Sequence, residues 1–302
     1  MSEVHEAARP LADMRPQRDF FVGIDSDGCA FDTMEPKHKE CFCPNFVRAF
    51  NLECVSKYAR EAWDFVNLYS KDRGCNRWHA VLKALDLLRE RPEVQARGVG
   101  IPMYDAIRKF VASGLPLSND GLKKYMEGVK HPELDIAWDW TTGVNKTVHQ
   151  IVRHVPPFPY VRESLEKIVS VADIVVVSAT PTEALVREWQ EHDIAKHVRV
   201  IAGQEMGTKA EHLKLAAHGK YPKEKVLMVG DAPGDMKAAR ANEALFFPVN
   251  PGQEDASWKL FFEEAFDKFV KGQYAGQYEA GLSAEFDGLL PATPPWKRGE
   301  RS

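Results

Sequence analysis

Two aspartates directly follow an apolar stretch near the start of the chain, in the segment FFVGIDSDG, where they are Asp25 and Asp27. Two more, Asp231 and Asp235, follow a second apolar stretch in VLMVGDAPGD. Like charges that lie close together raise one another's pKa values, so four converging carboxylates would require a compensating cation. Carboxylate oxygens without histidine or thiolate favour a hard cation, and Mg²⁺ is the natural candidate.

The segment SATPTEA suits an anion. We expect Thr180 to be a helix N-cap, with Pro181 at the first helical position and Glu183 completing a capping box. Ser178 would then lie where a strand end meets a helix N-terminus, whose free N–H groups and dipole attract phosphate.

The segment GTKAEHL predicts a second capping box, formed by Thr208 and Glu211, which places Lys209 in the first helical turn. A lysine there opposes the helix dipole by about 0.3 to 1 kcal/mol. Its position is therefore better explained by an anionic group nearby than by helix stability.

Five short stretches rich in β-branched and aromatic residues predict buried parallel strands. They are residues 20–24, 174–178, 198–202, 226–230 and 244–249. Their apolar runs are continuous, as expected where helices cover both faces of a sheet. Helical stretches separate the last four, which predicts a doubly wound, Rossmann-like α/β core. Ligands of such sheets bind at the carboxyl ends of the strands, so the polar residues named above would gather at one edge.

About 150 residues separate the first two predicted strands, and most of them show helical periodicity. This is far longer than an ordinary crossover, so we predict an inserted all-α cap domain. The predicted organisation is a discontinuous core of residues 17–35 and 157–265, a cap of residues 36–156, and a C-terminal extension of residues 266–302. The proline-rich end of that extension is expected to lie on the surface.

Composition excludes several classes of partner. The net charge of −4 provides no basic field for nucleic acid. The apolar runs are shorter than the ~20 residues of a membrane helix, and the first residues lack the apolar segment of a signal peptide, so we expect a cytoplasmic protein. The five cysteines are odd in number and are expected to be free thiols. His38 with Cys41 and Cys43 does not complete a zinc site.

The segments DSDGCAFD, VVVSAT, TKAEHL and VGDAPGD occur in this order and resemble the four signature motifs of the haloacid dehalogenase-like (HAD) hydrolase superfamily. The resemblance covers residues 19–35 and about 157–250, and the helical insertion is similar to the type 1 cap of that family. An aspartate two residues after the first one, here Asp27, matches the phosphatases and some phosphomutases of the family. Cys29 stands where a threonine or valine is commoner.

The resemblance implies that Asp25 is a nucleophile that forms an aspartyl-phosphate, and that Asp27 protonates the leaving oxygen and later activates water. It implies that Ser178 and Lys209 hold the phosphoryl oxygens, with Lys209 also shielding the nucleophile.

Two further sets of residues complete the implied site. Gly28 and Ala179 are assigned to phosphate binding together with Ser178 and Lys209. The implied Mg²⁺ ligands are Asp25, Asp231, Asp235 and the backbone carbonyl of Asp27.

The expected function is Mg²⁺-dependent hydrolysis of a small phosphorylated metabolite. A phosphomutase of the same fold and a non-catalytic binding module remain open alternatives. Within the cap, Arg73 and Arg77 lie in an arginine-rich turn that suits an acidic or second phosphate group of the substrate, although a solvated interhelical turn is as good an interpretation. Trp63, Trp78 and Trp138 are expected in the apolar core of the cap. The sequence does not distinguish a monomer from a homodimer.

Overall fold

The structure is a computed structural model and describes residues 6–298. These residues form two compact units. The core unit comprises residues 6–34 and 154–290, and the helical unit comprises residues 35–153 and 291–298. The insertion predicted from the long helical stretch is thus a compact unit of its own. Among the described residues, no helix is both long and apolar enough to cross a lipid bilayer.

Five parallel strands form one sheet in the core unit, in the order β3-β2-β1-β4-β5. The strands are β1 (Phe20–Ile24), β2 (Ala172–Val177), β3 (Val200–Ala202), β4 (Val226–Gly230) and β5 (Leu245–Pro248). The sheet confirms the predicted α/β fold, and β1 and β4 have the predicted bounds. Because β1 lies between β2 and β4, its carboxyl end is the place where the strand order reverses and where ligands of such sheets bind.

The helices follow the strands and fill the long insertion. In chain order, the α-helices of residues 6–298 are α1 (Arg9–Ala12), α2 (Met34–Pro36), α3 (Cys43–Ala49), α4 (Ser56–Asn67), α5 (Arg77–Arg89), α6 (Pro92–Gln95), α7 (Asp105–Val111), α8 (Asn119–Gly128), α9 (Pro132–Ile151), α10 (Val161–Ile168), α11 (Thr182–Glu191), α12 (Lys209–Ala216), α13 (Pro233–Ala241), α14 (Glu254–Leu260), α15 (Phe266–Val270) and α16 (Gln277–Leu289). Short 3₁₀ turns are Glu6–Ala8, Glu53–Val55, Ala195–His197, Gln204–Met206, Lys223–Lys225 and Pro295–Lys297, and π-helical segments are Lys37–Phe42 and Phe261–Ala265.

Apolar clusters cover both faces of the sheet. On β1, Val22 and Ile24 point into one cluster, whereas Phe21 points into the other. A Cβ atom at Gly23 would lie 3.1 Å from the side chains of Leu213 and Met228. The glycine in FFVGI therefore lets α12, which carries Leu213, pack closely against the central strand.

The helical unit has an apolar cluster that is rich in aromatic rings. Trp63, Trp78 and Trp140 are fully buried in it, and the ring centroids of Trp78 and Trp140 lie 5.5 Å apart in an edge-to-face arrangement. The core positions predicted for Trp63 and Trp78 are confirmed. Trp138 is only partly buried and packs against the cluster.

The predicted C-terminal extension is instead divided between the two units. Helix α16 belongs to the core unit, where Phe286 is fully buried and packs on Phe246 of β5. Residues 291–298 belong to the helical unit, where the Trp296 ring lies 4.4 Å from the guanidinium of Arg91. Buried aromatic side chains such as Phe286 pack the first part of this segment into the core unit. Most residues of the proline-rich stretch 291–298 are partly or fully exposed. The last four residues of the predicted extension lie outside the described residues.

Candidate active site

Three aspartates converge at the carboxyl edge of the sheet. Asp25 follows β1, Asp231 follows β4, and Asp235 lies in the first turn of α13. Each is at most 4% exposed, and their carboxylate oxygens lie within 4.8 Å of one another. A Cβ atom at Gly230 would lie 2.4 Å from the Cβ of Asp235, so the glycine that ends β4 is what admits this aspartate.

Lys209 reaches into the same cluster. Its ammonium nitrogen lies 2.7 Å from Oδ2 of Asp25 and 2.6 Å from Oδ1 of Asp235. The predicted capping box of Thr208 and Glu211 is confirmed, and it fixes Lys209 as the first residue of α12. The sequence expectation that this lysine faces anionic groups is met, within this structure, by the two carboxylates.

Burial dominates the electrostatics of this cluster. It raises the pKa of both Asp25 and Asp235 to about 6, with Lys209 opposing the rise and neighbouring carboxylates adding to it. Burial alone would lower the pKa of Lys209, but Asp235 and Asp25 outweigh this effect and hold that pKa above its usual value.

The donor chemistry of the cluster fits a hard divalent cation. Asp25, Asp231 and Asp235 offer only carboxylate oxygens, which Mg²⁺ prefers over the softer ligands that zinc or copper would select. Lys209 can neutralise one of the three carboxylate charges, and the other two match the charge of one divalent ion. The sequence-based choice of Mg²⁺ is thus compatible with the residues present.

Asp27 does not belong to this group of possible metal ligands. Its Oδ1 accepts a hydrogen bond from the Thr33 hydroxyl at 2.5 Å, and its Oδ2 accepts one from the Thr180 hydroxyl at 2.6 Å. Of the four carboxylates expected to converge, three do so, and the side chain of the fourth is held by two hydroxyl groups. The role of the Asp27 backbone carbonyl as a metal ligand stays a prediction.

The start of α11 differs from the prediction. The helix begins at Thr182 with Pro181 as N-cap, and no capping box forms there. The hydroxyl of Thr180 donates to Asp27 instead, while Glu205 accepts hydrogen bonds from the N–H and the hydroxyl of Thr182 at 2.9 and 2.7 Å. Hydrogen bonds to residues distant in sequence, Asp27 and Glu205, thus take the place of the predicted local capping box.

The residues assigned to phosphate binding lie at the same edge of the sheet but differ in exposure. Ser178 is 2% exposed, its N–H donates to the carbonyl of Ala202, and its hydroxyl accepts from the N–H of Thr180 at 3.2 Å. Ala179 is exposed. The N–H of Gly28 donates to the carbonyl of Phe31 at 2.8 Å, so it is used inside its own loop. The phosphate-binding roles of these residues stay predictions.

The two arginines predicted for substrate recognition both lie in the helical unit. Arg73 is 4% exposed and donates to the carbonyl of Leu68 at 3.0 Å. Arg77 starts α5 and donates to the side chains of Thr141 at 3.0 Å and Asn145 at 2.8 Å. Both guanidinium groups are thus held by contacts within their own unit.

Residues 25–33, the Asp25 loop, turn sharply after β1. The carbonyl of Ser26 accepts backbone hydrogen bonds from Cys29, Ala30 and Phe31, at 3.3, 2.9 and 3.0 Å. Gly28 has a φ of +74°, a left-handed conformation that glycine adopts without strain. All five cysteines of the chain are free thiols, as expected, and Cys29 is fully buried in this loop.

Sequence reasoning missed the hydroxyl groups of Thr33 and Thr180 as partners of Asp27. The only signal available was that each hydroxyl residue lies near a predicted strand end that carries a site residue. Such a position does not show where the side chain points, because the two threonines are far apart in sequence.

A comparison with protein families identifies the family of the chain. The family model described as haloacid dehalogenase-like hydrolase matches residues 96–249, which include Ser178, Lys209, Asp231 and Asp235; the Asp25 loop precedes the matched region. No curated protein sequence matches the chain significantly.

The solved structures that match the chain have low sequence identity to it. A putative phosphoglycolate phosphatase from Lactobacillus delbrueckii subsp. bulgaricus is 17% identical, with a TM-score of 0.46 over 76% of this chain and 85% of that one. A putative beta-phosphoglucomutase from Thermotoga maritima is 16% identical, with a TM-score of 0.38 over 80% and 98%. CbbY from Rhodobacter sphaeroides, in complex with phosphate, is 16% identical, with a TM-score of 0.41 over 88% and 100%.

Proposed function

The chain belongs to the haloacid dehalogenase-like hydrolase family, and on this premise we propose that it is a Mg²⁺-dependent phosphatase. Its substrate would be a small phosphorylated metabolite, and the reaction would pass through an aspartyl-phosphate on Asp25. The observation that carries the proposal is the buried cluster of Asp25, Asp231 and Asp235, of which Asp25 and Asp235 pair with the Lys209 ammonium group.

Asp25 is oriented for attack through both of its oxygens. Oδ1 accepts from the N–H of Ser26 at 2.7 Å, and Oδ2 accepts from Lys209. In the first step one of these oxygens bonds to phosphorus while the bond to the leaving oxygen breaks. In the second step water attacks the same phosphorus atom, the bond to Asp25 breaks, and inorganic phosphate leaves.

Asp27 would carry the proton in both steps. It gives a proton to the leaving oxygen and later takes one from the attacking water, which restores its starting state. Thr33 and Thr180 donate to its two oxygens, so they hold the carboxylate form. A hydroxyl group can donate or accept, so either threonine can turn to accept from the protonated form.

Asp25, Asp231 and Asp235 would hold Mg²⁺, which when bound would offset the negative charge that develops on the transferring phosphoryl group. Lys209 would bind a phosphoryl oxygen and reduce the repulsion between the substrate and the Asp25 carboxylate. Both roles suit the excess of carboxylate over ammonium groups in the cluster.

Arg77 would bind a second anionic group of the substrate. Its guanidinium lies 5.0 Å from the centre of the Phe42 ring and donates only to the neutral groups of Thr141 and Asn145. Burial lowers the pKa of Arg77 to about 10, and no carboxylate of residues 6–298 forms an ion pair with it. A partly buried cation that has only neutral partners is suited to an anionic ligand.

Hydrolysis of a generic aryl phosphate tests the proposed reaction. The purified protein should release phosphate in the presence of Mg²⁺ and stop when the metal is chelated. Asp25→Asn should lower the rate by roughly 10³-fold or more, because an amide cannot replace the nucleophile. Asp255→Asn, at an exposed aspartate of α14, is the matched control and should keep the wild-type rate.

A panel of phosphorylated metabolites then identifies the substrate class. Steady release of inorganic phosphate supports the phosphatase, whereas isomerisation of a sugar phosphate without phosphate release would identify a phosphomutase. A folded protein that turns over no member of the panel, nor the aryl phosphate, would contradict the enzymatic proposal.

A further inference from the structure

Ser26 is the residue on which the hydrogen bonds of the Asp25 loop converge. Its N–H donates to Oδ1 of Asp25, and its carbonyl accepts from the three residues Cys29, Ala30 and Phe31. Ser26 is fully buried. Any group that fixes Ser26 therefore also fixes the direction of the Asp25 carboxylate.

Trp189 of α11 holds the side chain of Ser26. Its indole N–H donates to the Ser26 hydroxyl at 3.0 Å, and that hydroxyl donates in turn to Glu188 at 3.3 Å. The Trp189 ring also packs edge-to-face on Phe31, with centroids 5.8 Å apart. One fully buried side chain thus contacts the loop near both of its ends.

Trp258 of α14 holds the loop at a second point. Its indole N–H donates to the carbonyl of Cys29 at 2.7 Å, and the ring is fully buried. The thiol of Cys29 faces the carbonyl of Val229 at 3.6 Å, and the N–H of Asp25 donates to the same carbonyl at 3.0 Å. The unusual cysteine of this loop is therefore a small buried side chain beside β4.

The tryptophans of the helical unit follow no such rule, since the indole N–H of the buried Trp63 donates to Nδ1 of His38 at 3.2 Å, whereas two others lack an acceptor in the described part of the chain. Within residues 6–298, the indole nitrogens of Trp78 and Trp140 are buried and have no hydrogen-bond partner. Both tryptophans of the core unit, Trp189 and Trp258, donate into the same loop. An indole N–H can only donate, and its burial is favourable when an acceptor is well placed. That both indoles of the core unit find their acceptors in the Asp25 loop is therefore a specific feature of this loop.

We propose that Trp189 and Trp258 are positioning residues that clamp the Asp25 loop, one through the hydroxyl of Ser26 and the other through the carbonyl of Cys29. The inference rests on the proposed function, because it takes Asp25 as the attacking group. Each indole acts through the loop: it fixes the angle at which the carboxylate meets phosphorus. Misplacement of a reacting group by about 1 Å can lower a rate by as much as about 10²-fold.

Kinetics of Trp189→Phe and Trp258→Phe tests the clamp, because each change removes one N–H but keeps an aromatic ring. With the Mg²⁺-dependent hydrolysis of an aryl phosphate as the assay, each variant should lose roughly 10-fold in kcat, with KM within about twofold of wild type. Trp140→Phe is the matched control, since it replaces an equally buried indole whose N–H has no partner among residues 6–298. The kcat of this variant should stay within about twofold of wild type.

A double-mutant cycle with Ser26→Ala makes the test specific. If Trp189 acts through the Ser26 hydroxyl, the double variant should be no slower than the slower single variant. Multiplied effects of the two changes would overturn the assignment of that contact.

Hydrogen exchange of the amides in the Asp25 loop provides a readout that needs no catalysis. The amides of Cys29, Ala30 and Phe31 should exchange faster than in wild type in Trp189→Phe and Trp258→Phe, the two core-unit variants. In Trp140→Phe they should exchange at the wild-type rate. Unchanged exchange in both core-unit variants would overturn the clamp, whatever the activity. If the wild-type protein hydrolyses no phosphate ester but the exchange accelerates as expected, the proposed function fails and the clamp stands.

Discussion

The two units of the chain treat buried charge in opposite ways. In the core unit, three buried carboxylates lie together and two of them pair with the ammonium group of Lys209, so carboxylates outnumber ammonium groups in this cluster. In the helical unit, the partly buried guanidinium of Arg77 contacts neutral groups and an aromatic ring, so its positive charge is not compensated by a carboxylate among residues 6–298. Excess charge in a region of low dielectric attracts a ligand of opposite sign. The first arrangement suits a divalent cation, and the second suits an anion.

A second arginine of the helical unit shows that burial alone does not leave a cation without a carboxylate partner. Arg91 of the helical unit is 1% exposed and lies between the rings of Tyr58 and Trp296. Unlike Arg77, it forms ion pairs with Glu61 and Glu93. Its charge is compensated within the unit, as expected of a cation with a purely structural role.

The largest effect is expected for Lys209→Met. The substitution leaves Asp25 and Asp235 without their shared ammonium group, so the free energy of unfolding without Mg²⁺ should fall by about 3 kcal/mol or more. Added Mg²⁺ should stabilise the variant more than the wild type. Urea unfolding with and without the metal measures both values.

The control for that experiment is Lys223→Met, since Lys223 forms an exposed ion pair with Glu243 and should contribute about 0 to 1 kcal/mol. If Lys209→Met were as stable as wild type in the absence of Mg²⁺, the excess of negative charge in the core unit would be disproved.

The next effect compares Arg91, which is buried, with Arg77, which is partly buried. Arg91→Met should lower the free energy of unfolding by about 2 to 3 kcal/mol, because it leaves the partly exposed Glu61 without its cation. Arg77→Met should cost less than about 1 kcal/mol, since it strands no carboxylate. Equal losses in urea unfolding would show that Arg77 is as structural as Arg91.

Asp173 tests whether a buried carboxylate must attract a cation. It is 2% exposed on β2, yet it accepts hydrogen bonds from Tyr221, from Arg199 and from the backbone N–H groups of Gln17 and Arg18. Burial would raise its pKa, but these donors outweigh burial and hold the pKa of Asp173 below its usual value.

Asp173→Asn should therefore destabilise the protein by about 2 kcal/mol near pH 6. A lowered native-state pKa stabilises the protein above the unfolded-state pKa of about 3.9, and this contribution is lost as the pH falls through the native-state value. Urea unfolding at pH 6 and at pH 3 should show a difference between variant and wild type that shrinks in acid. A difference that did not change with pH would contradict the assignment.

The smallest effect concerns recognition by Arg77. For a substrate that carries a second anionic group, Arg77→Gln should raise KM roughly 10-fold, since a charge-assisted hydrogen bond contributes about 1.5 to 3 kcal/mol. The KM of an aryl monophosphate ester whose aryl group carries no charge should not change. An equal rise for both substrates, measured with Asp255→Asn as control, would assign Arg77 a structural role.

The sequence by itself determined the strands, the order of the motifs and the capping box that begins α12. Continuous apolar runs specify buried parallel strands locally, so the residues that follow two of these runs place Asp25, Asp231 and Asp235 at one edge of the sheet. The match of the family model to residues 96–249 agrees with that interpretation.

Only the tertiary structure decided which partners each side chain takes. Thr180 donates to Asp27 instead of capping α11, and Trp189 and Trp258 contact the Asp25 loop across 163 and 229 residues of sequence. The predicted C-terminal extension is divided, with α16 in the core unit and residues 291–298 in the helical unit. Periodicity and capping patterns report interactions within a few residues, whereas these contacts depend on how distant elements meet, and no local pattern records that.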